Sequence, residues 1–364
     1  ILEAYLNQIN FGHGWYGVET AARHYFGKGV AQVTLAEAAT LAAMPKSPVQ
    51  YDPAKYPDRA KNRRDAILDL MASQKYISKA EAAAAKRERV RTAPNNGMSA
   101  QAPYFVDAVR AAAERVGIPV GQGGYRIMTG LDPALQRAAV SALMDETQAI
   151  EQRPGWKHPT LANHPRGTTD YLQGAVVAID PATGDVRALV GGRSHAEAPF
   201  NRATNGLRQP GSSFKPFVYA RAINDSIPPN AIVQDTAINI QYDRQSYRPK
   251  NSDGEFLGAI TLREAIAKSR NPVAVQLWEQ LGADSVIALA KRAGISTSIA
   301  PYPSSAIGAS VVRPIDFVAA YTMFATLGTP VDPRLIVRIE DRDRKSVYER
   351  DVQTLPAALS PNAA

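Results

Sequence analysis

Through about the first ninety residues, apolar side chains return every three or four positions, the period that gathers them on one face of an α-helix. Two helix starts are marked. Thr34-Leu35-Ala36-Glu37 and Ser78-Lys79-Ala80-Glu81 each set a hydroxyl three residues before a glutamate, so hydroxyl and carboxylate can each satisfy a backbone N–H left over at a helix start. Between them, Met44-Pro45-Lys46-Ser47-Pro48 and Tyr51-Asp52-Pro53 predict extended or turn backbone, because proline pushes the preceding residue out of the helical region. The stretch 92–97, which includes Pro94 and Gly97, reads as an exposed boundary. A short helix is then predicted near 104–116 and a strand near 125–129. A further helix opens with Asp132 as its N-cap and Pro133 at its first position.

Residues 151–170 hold prolines and little periodicity and read as loop. After Gly174 the pattern becomes β. The runs 175–179 and 186–190 flank the turn residues Asp180-Pro181-Ala182-Thr183-Gly184-Asp185, which predicts a hairpin. Capped helical patterns dominate from 212 to 294, a last helix is expected at 314–327, and a strand at 334–339. The chain thus reads as α+β, with no tandem repeat.

Composition narrows the choice. Of 364 residues, 45% are apolar and 21% charged, a globular balance that excludes disordered, collagenous and coiled-coil chains. The length favours two or three domains. Forty-two Lys and Arg against thirty-four Asp and Glu leave +8, which favours an anionic neighbourhood. The basic residues are dispersed, without the one-sided, aromatic-interleaved patch of a nucleic-acid binder, so no nucleic acid is expected. Lys86-Arg87-Glu88-Arg89-Val90-Arg91 reads as a solvated helix end, where cations suit the dipole. There is no cysteine, which excludes disulfides and thiolate chemistry. Histidines 13, 24, 158, 164 and 195 lack zinc-ligand spacing, so no metal site is expected. The aromatic set Phe11, Trp15, Tyr16, Tyr25 and Phe26 reads as helix packing. No apolar run is long enough to span a bilayer, while Ile1 falls inside a helical pattern already under way, so the chain reads as part of a longer protein.

Candidate chemistry begins at Ser212-Ser213-Phe214-Lys215. If Ser212 opens a helix, Lys215 sits over the same turn, and a buried lysine with a lowered pKa can take the proton of a serine that is otherwise a poor nucleophile. The helix start adds a field favouring an oxyanion beside Ser212. The four residues alone also fit an N-cap serine beside a solvated lysine, and a chain of this length holds about one such tetrad by chance. The second piece is Ser269-Arg270-Asn271. Thr261-Leu262-Arg263-Glu264 starts a helix that Pro272 must break, and Pro272 can open a second helix running to Leu281 with Gly282 at its end. Ser269 and Asn271 would then lie on a tight turn facing a cleft, or Asn271 would simply cap the second helix.

In this order, the two pieces resemble the penicillin-binding proteins. So do Gly174–Gly184, Arg208-Gln209-Pro210-Gly211-Ser212, Lys250-Asn251-Ser252-Asp253-Gly254 and Tyr302-Pro303-Ser304-Ser305-Ala306-Ile307-Gly308, which are similar to the transpeptidase domain of the class A, bifunctional type. Ile1-Leu2-Glu3-Ala4-Tyr5-Leu6-Asn7, Tyr16-Gly17-Val18-Glu19-Thr20-Ala21-Ala22 and Arg63-Arg64-Asp65-Ala66-Ile67-Leu68 resemble the last motifs of the peptidoglycan glycosyltransferase domain. The resemblance implies the C-terminal part of an α-helical, lysozyme-like glycosyltransferase domain over 1–75, inter-domain helices and linker over 76–172, and a β-lactamase-like transpeptidase domain over 173–364, with an antiparallel sheet and flanking helices.

The same resemblance implies roles. Ser212 would be the acylated nucleophile, Lys215 its general base, Ser269 a proton relay to the leaving amine, and Asn271 a contact to the substrate backbone. It implies stem peptides and a lipid-linked disaccharide as substrates and β-lactams as inhibitors. No cofactor is implied for transpeptidation, and a divalent ion, commonly magnesium, for the glycosyltransferase. It further implies an upstream anchor in the bacterial inner membrane, with the catalytic domains outside the cytoplasm. The family's Lys-Thr-Gly motif is missing from this sequence, its glycosyltransferase glutamates lie upstream of Ile1, and Glu3 belongs to a late, structural motif. The expectation is therefore a bifunctional parent and a chain impaired in both reactions, since one lost oxyanion donor costs about a hundredfold to a thousandfold. Two other readings are a carboxypeptidase or β-lactamase on the same scaffold, told apart by trimmed monomer rather than cross-linked dimer, and a non-catalytic wall-assembly scaffold.

Overall fold

Both predicted capping boxes are formed. Glu37 N–H donates to Thr34 Oγ1 at 3.3 Å while Thr34 N–H donates to Glu37 Oε2 at 2.7 Å, and Ser78 and Glu81 repeat the exchange at 3.1 and 2.7 Å. The computed structural model describes residues 1–12, 15–93, 101–120, 124–165 and 168–364, in two units: Ile1–Arg126 with Glu340–Val347, and Ile127–Ile339 with Tyr348–Ala364. His13 and residues 94–97 of the predicted boundary lie outside the described residues.

The first unit is helical, as its periodicity predicts: α1 (Leu2–Gln8), α2 (Val18–Phe26), α3 (Leu35–Ala43), α4 (Pro57–Ser73), α5 (Lys79–Arg87) and α6 (Pro103–Arg115). Phe11, Tyr25, Phe26, Leu41 and Met44 form one core, with the Tyr25 hydroxyl donating to Phe11 O at 2.9 Å and Trp15 stacked on His24 at 4.3 Å. One expectation is corrected here. Met44, which precedes Pro45, is helical (φ −72°, ψ −38°) and begins a 3₁₀ turn, Met44–Lys46. A proline in the first turn of a short helix forfeits no intrahelical bond, and this offsets the usual bias on its predecessor.

The strand β1 (Arg126–Met128) falls where the chain passes between the units. In the second unit, Asp132 caps α7 (Pro133–Glu151), accepting from the Ala134 and Leu135 N–H groups at 2.8 and 3.1 Å. The predicted hairpin is β2 (Val176–Ile179) antiparallel to β3 (Val186–Val190), with Val176 opposite Val190. Ala139 and Leu143 of α7 pack on Ala188 and Val190. The buried Gln136 carboxamide closes both backbone groups of Leu189, at 2.8 and 3.1 Å, and so acts as a one-residue strand partner.

Between 212 and 294 the helical expectation holds only in part. It gives α8 (Lys215–Asn224), but β4 (Ile232–Asp235), β5 (Ile240–Tyr242), β6 (Gln245–Tyr247) and β7 (Gly258–Thr261) intervene before α9 (Leu262–Ala267), α10 (Asn271–Leu281) and α11 (Ala283–Arg292). β4 pairs antiparallel with β7, and β5 with β6. Strands of three or four residues are too short to display a period of two, and in β4 the one fully buried side chain is the polar Asp235.

The last predicted helix is shorter than expected: α12 (Pro314–Tyr321) tightens into a 3₁₀ turn at Thr322–Phe324, and Leu327 is left-handed. Thr322 Oγ1 donates to Ala319 O at 2.6 Å and accepts from Val331 N–H at 3.1 Å, and this side-chain bonding competes with the helix. The last predicted strand begins late, as β8 (Arg338–Glu340), followed by β9 (Ser346–Glu349), because the Arg334 backbone instead forms an isolated bridge, its N–H donating to Gly184 O at 2.8 Å and its carbonyl accepting from Val186 N–H at 3.1 Å. The core of this unit gathers Phe214, Phe217, Val218, Trp278 and Leu289, with Phe214 stacked on Phe217 at 5.3 Å. Among the described residues no helix is long and apolar enough to cross a membrane.

Candidate active site

Pro216 fixes the local geometry of the serine–lysine pair. Proline fits only the first turn of a helix, so α8 starts at Lys215 and the preceding Gly211–Phe214 form a 3₁₀ turn, not the α-helix start expected at Ser212. In a 3₁₀ turn, positions three apart eclipse one another, which puts residues 212 and 215 on one side. Lys215 N–H donates to the Ser212 carbonyl. Glycine is required beneath this turn. Gly211 has φ +57° and its N–H donates to Gly308 O at 3.2 Å; a Cβ on Gly308, itself at φ +77°, would lie 2.1 Å from Gly211 O. Tyr321 of α12 donates its hydroxyl to the Ser213 carbonyl, and burial pushes that phenol up to about 12.

Ser212 and Lys215 differ in setting. Ser212 is exposed, whereas Lys215 is 1% exposed and reaches the turn between α9 and α10. Its Nζ donates to Ser269 O at 2.6 Å, Ser269 Oγ at 3.0 Å and Asn271 Oδ1 at 2.5 Å. Three ammonium protons thus meet three acceptors, and among the described residues none of these bonds goes to the Ser212 hydroxyl. Lys215, Ser269 and Asn271 are therefore brought together, while Ser212 shares the turn with Lys215 without being bonded to its amine. Burial, reinforced by the Arg270 charge, lowers the Lys215 pKa from 10.5 to about 8.

The turn has the predicted form. The α9 helix stops at Ala267, Ser269 takes a left-handed backbone (φ +54°), and Pro272 lies in the first turn of α10, which ends at Gly282. Asn271 is not a helix cap: Arg270 occupies that position, and the Asn271 amide instead donates to Lys250 O at 2.7 Å. A polar group that the sequence alone did not single out as functional holds the turn. Arg270, 3% exposed, donates to Asp235 Oδ2 at 2.7 Å, to Asp253 Oδ2 at 2.6 Å and to Glu255 O. Asn251 donates to Asp235 Oδ1 at 2.9 Å and Glu255 O at 2.8 Å, and accepts from Asn271 N–H at 2.8 Å. Burial alone would raise the Asp235 pKa, but the bonds from Asn251, Leu257 N–H and Arg270 outweigh it and hold the carboxyl below the usual range. The available signals were the charge inside Ser269-Arg270-Asn271 and Asn251 in the 250–254 stretch; Asp235 could be joined to them only through β4.

Among the described residues, no group of three or more His, Asp or Glu side chains could hold a metal ion. The divalent ion that the family resemblance implies for the glycosyltransferase therefore has no ligand set among the described residues.

A serine and a buried lysine on one tight turn, set against a Ser-x-Asn turn, bring together the group types that serine acyl transfer needs. Comparison with known proteins gives the class. Residues 174–358, more than half of the chain, match the penicillin binding protein transpeptidase domain, and residues 1–72 match the transglycosylase domain. The chain belongs to the penicillin-binding protein transpeptidase family, in the class A form that carries a transglycosylase domain ahead of the transpeptidase. It is 36% identical to penicillin-binding protein 2D of Bacillus subtilis over 97% of this chain and 50% of that protein. To penicillin-binding protein 1A of Aquifex aeolicus it is 31% identical over 96% of this chain and 57% of that protein. The crystal structure of penicillin-binding protein 1A from Haemophilus influenzae superposes with a TM-score of 0.73 at 26% identity, over 97% of this chain and 65% of that one. The chain spans about half the length of the curated relatives it matches.

Proposed function

We propose that this chain carries the acyl-transfer centre of a peptidoglycan-synthesising enzyme. In this reading it is a D,D-transpeptidase that cross-links stem peptides through acyl-Ser212, joined to a glycosyltransferase that polymerises lipid-linked disaccharide. The observation that carries the proposal is the buried Lys215 amine, three residues beyond Ser212 and hydrogen-bonded to both Ser269 and Asn271.

The chemistry follows from the proton count. A Lys215 pKa of about 8 leaves about a tenth of the amine neutral at pH 7 and about half at pH 8. The neutral amine keeps two N–H bonds, to Ser269 O and Asn271 Oδ1, and its lone pair becomes an acceptor. Ser212 Oγ attacks the carbonyl between two D-alanines, and its proton passes to that lone pair as the C–O bond forms, once the amine has turned from the Ser269 hydroxyl towards Ser212. The oxyanion develops beside Ser212, in the positive field of the helix start. As the C–N bond breaks, Lys215 returns the proton through the Ser269 hydroxyl to the leaving amine, and terminal D-alanine departs. An amine from a second stem then attacks the ester, loses its proton to Lys215 and completes the cross-link, while Ser212 recovers a proton. A β-lactam acylates Ser212 by the same first step, in keeping with the relatives' names. The location that suits this reaction is the outer face of the bacterial cytoplasmic membrane, with an upstream segment as anchor.

Incubation with a stem pentapeptide and an amine acceptor tests the reading. Cross-linked dimer with release of D-alanine is expected. Trimmed monomer alone would make the protein a hydrolase, and no turnover together with no penicillin labelling would contradict the proposal.

A further inference from the structure

Resting on that reading, we infer that Arg270, Asp235 and Asn251 form the positioning unit of this site: anchored on β4, they hold the Ser269–Asn271 turn against Lys215. None of the three touches the reacting atoms, so each acts through another residue.

The geometry is specific. Ser269 has a left-handed backbone, an arrangement that costs a non-glycine residue free energy and persists only when its surroundings fix it. Two backbone bonds close the turn from the α9 side, Ser269 N–H to Ile266 O at 3.0 Å and Arg270 N–H to Ala265 O at 2.9 Å. The other side is closed by side chains. Arg270 ties the turn to Asp235, and Asn251 accepts the Asn271 N–H at 2.8 Å. The Lys250 carbonyl then fixes the Asn271 amide so that its oxygen, not its nitrogen, faces Lys215. Lys215 therefore meets three acceptors because the turn behind them is held.

The charges are arranged to match. Asp235 and Asp253 are both taken up by Arg270, and both carboxyls lie below the usual range: in Asp235 the bonds from Asn251, Leu257 and Arg270 overcome the opposing effect of burial, and in Asp253 the Arg270 bond leads. Burial pushes up the phenols of Tyr219 on α8 and Tyr321 on α12, so both stay neutral. Among the charged groups of this unit, Arg270 is the one whose charge bears on Lys215, in the same direction as burial.

The test is the acylation rate of the protein by a fluorescent penicillin across pH 6 to 10, roughly the range that brackets an amine lowered to about 8. Arg270→Met is expected to slow acylation by about tenfold to a hundredfold, the usual cost of a small misplacement. It should also move the rising limb of the profile to higher pH, because a cation beside the amine is gone. Arg270→Lys keeps that charge and should restore the limb's position with only part of the rate. Asn251→Ala changes no charge and should slow acylation by about tenfold without moving the limb. If Arg270→Met fails to fold, the Asn251→Ala rate decides. Wild-type rates with an unmoved limb in folded Arg270→Met, or a wild-type rate in folded Asn251→Ala, would overturn the inference. Ser212→Ala separates the two levels: undiminished labelling there would remove the acyl-Ser212 reading itself, whatever Arg270 does.

Discussion

Each unit contains a buried arginine that grips backbone, and the two have different consequences. Arg64 of α4, 2% exposed, donates to Lys86 O and Glu88 O, both at 2.9 Å, and pairs with Asp65 at 2.6 Å. It closes the carbonyl end of α5, where helices leave unpaired acceptors, and Lys86 adds a pair to Asp69 at 2.5 Å. Arg270 does the same kind of work on a turn, bonding Glu255 O and two carboxylates. The difference lies in what stands next to it. Beside Arg64 the bonds serve a helix end, whereas beside Arg270 a buried amine gives three protons to the turn being held. A buried ionic cluster is thus weak evidence of function by itself and becomes informative when a second, displaced titratable group depends on it.

Four outcomes would sharpen or break this contrast. The largest effect is expected from Lys215→Ala, which removes the group that the second cluster serves. Penicillin acylation should fall by about a thousandfold, within the range that general bases supply, and a loss below tenfold would mean that Ser212 has another base. Next is Arg64→Met, which strips two carbonyls and Asp65 of their donor. Thermal or urea unfolding should show a loss of about 2–3 kcal/mol with the acylation rate of the folded protein unchanged. A slowed rate would erase the distinction between the two arginines.

The third outcome is pH dependence. With Lys215 lowered to about 8, acylation should rise as pH increases through about 8 and then level off, in wild type and Arg64→Met alike. The linked stability has a definite sign. The cost of burying the ammonium is present in full below about 8 and is relieved as pH rises towards 10.5, because the unfolded chain there binds a proton that the folded one does not. The smallest effect is expected from Ser78→Ala at the start of α5, whose end Arg64 closes. Loss of the capping box should cost about 1 kcal/mol by calorimetry and leave acylation untouched.

Legibility followed the range of the interactions. Capping boxes, the Asp132–Pro133 helix start and the 174–190 hairpin depend on neighbours within a few residues, so their spacing was enough to place them. Ser269 and Asn271 were legible as a turn because Pro272 must break the helix. Pro216 would also have shown that the α-helix begins at Lys215 and not at Ser212, a local signal that was outweighed by the Ser-x-x-Lys pattern. Asp235, Asn251 and Arg270 were illegible as a unit, since strand β4 brings Asp235 within 2.7 Å of a residue 35 positions away. The direction of the Lys215 side chain was likewise set by tertiary contacts, which draw its amine to 269–271.

The central claim is that a hydroxyl at 212 is acylated with help from the amine at 215, and the most direct measurement is to locate the bond. After brief exposure to a fluorescent penicillin, peptide mass mapping should place the adduct on Ser212, absent in Ser212→Ala and strongly reduced in Lys215→Ala. An adduct on the neighbouring exposed Ser213, or labelling undiminished by Ser212→Ala, would contradict it.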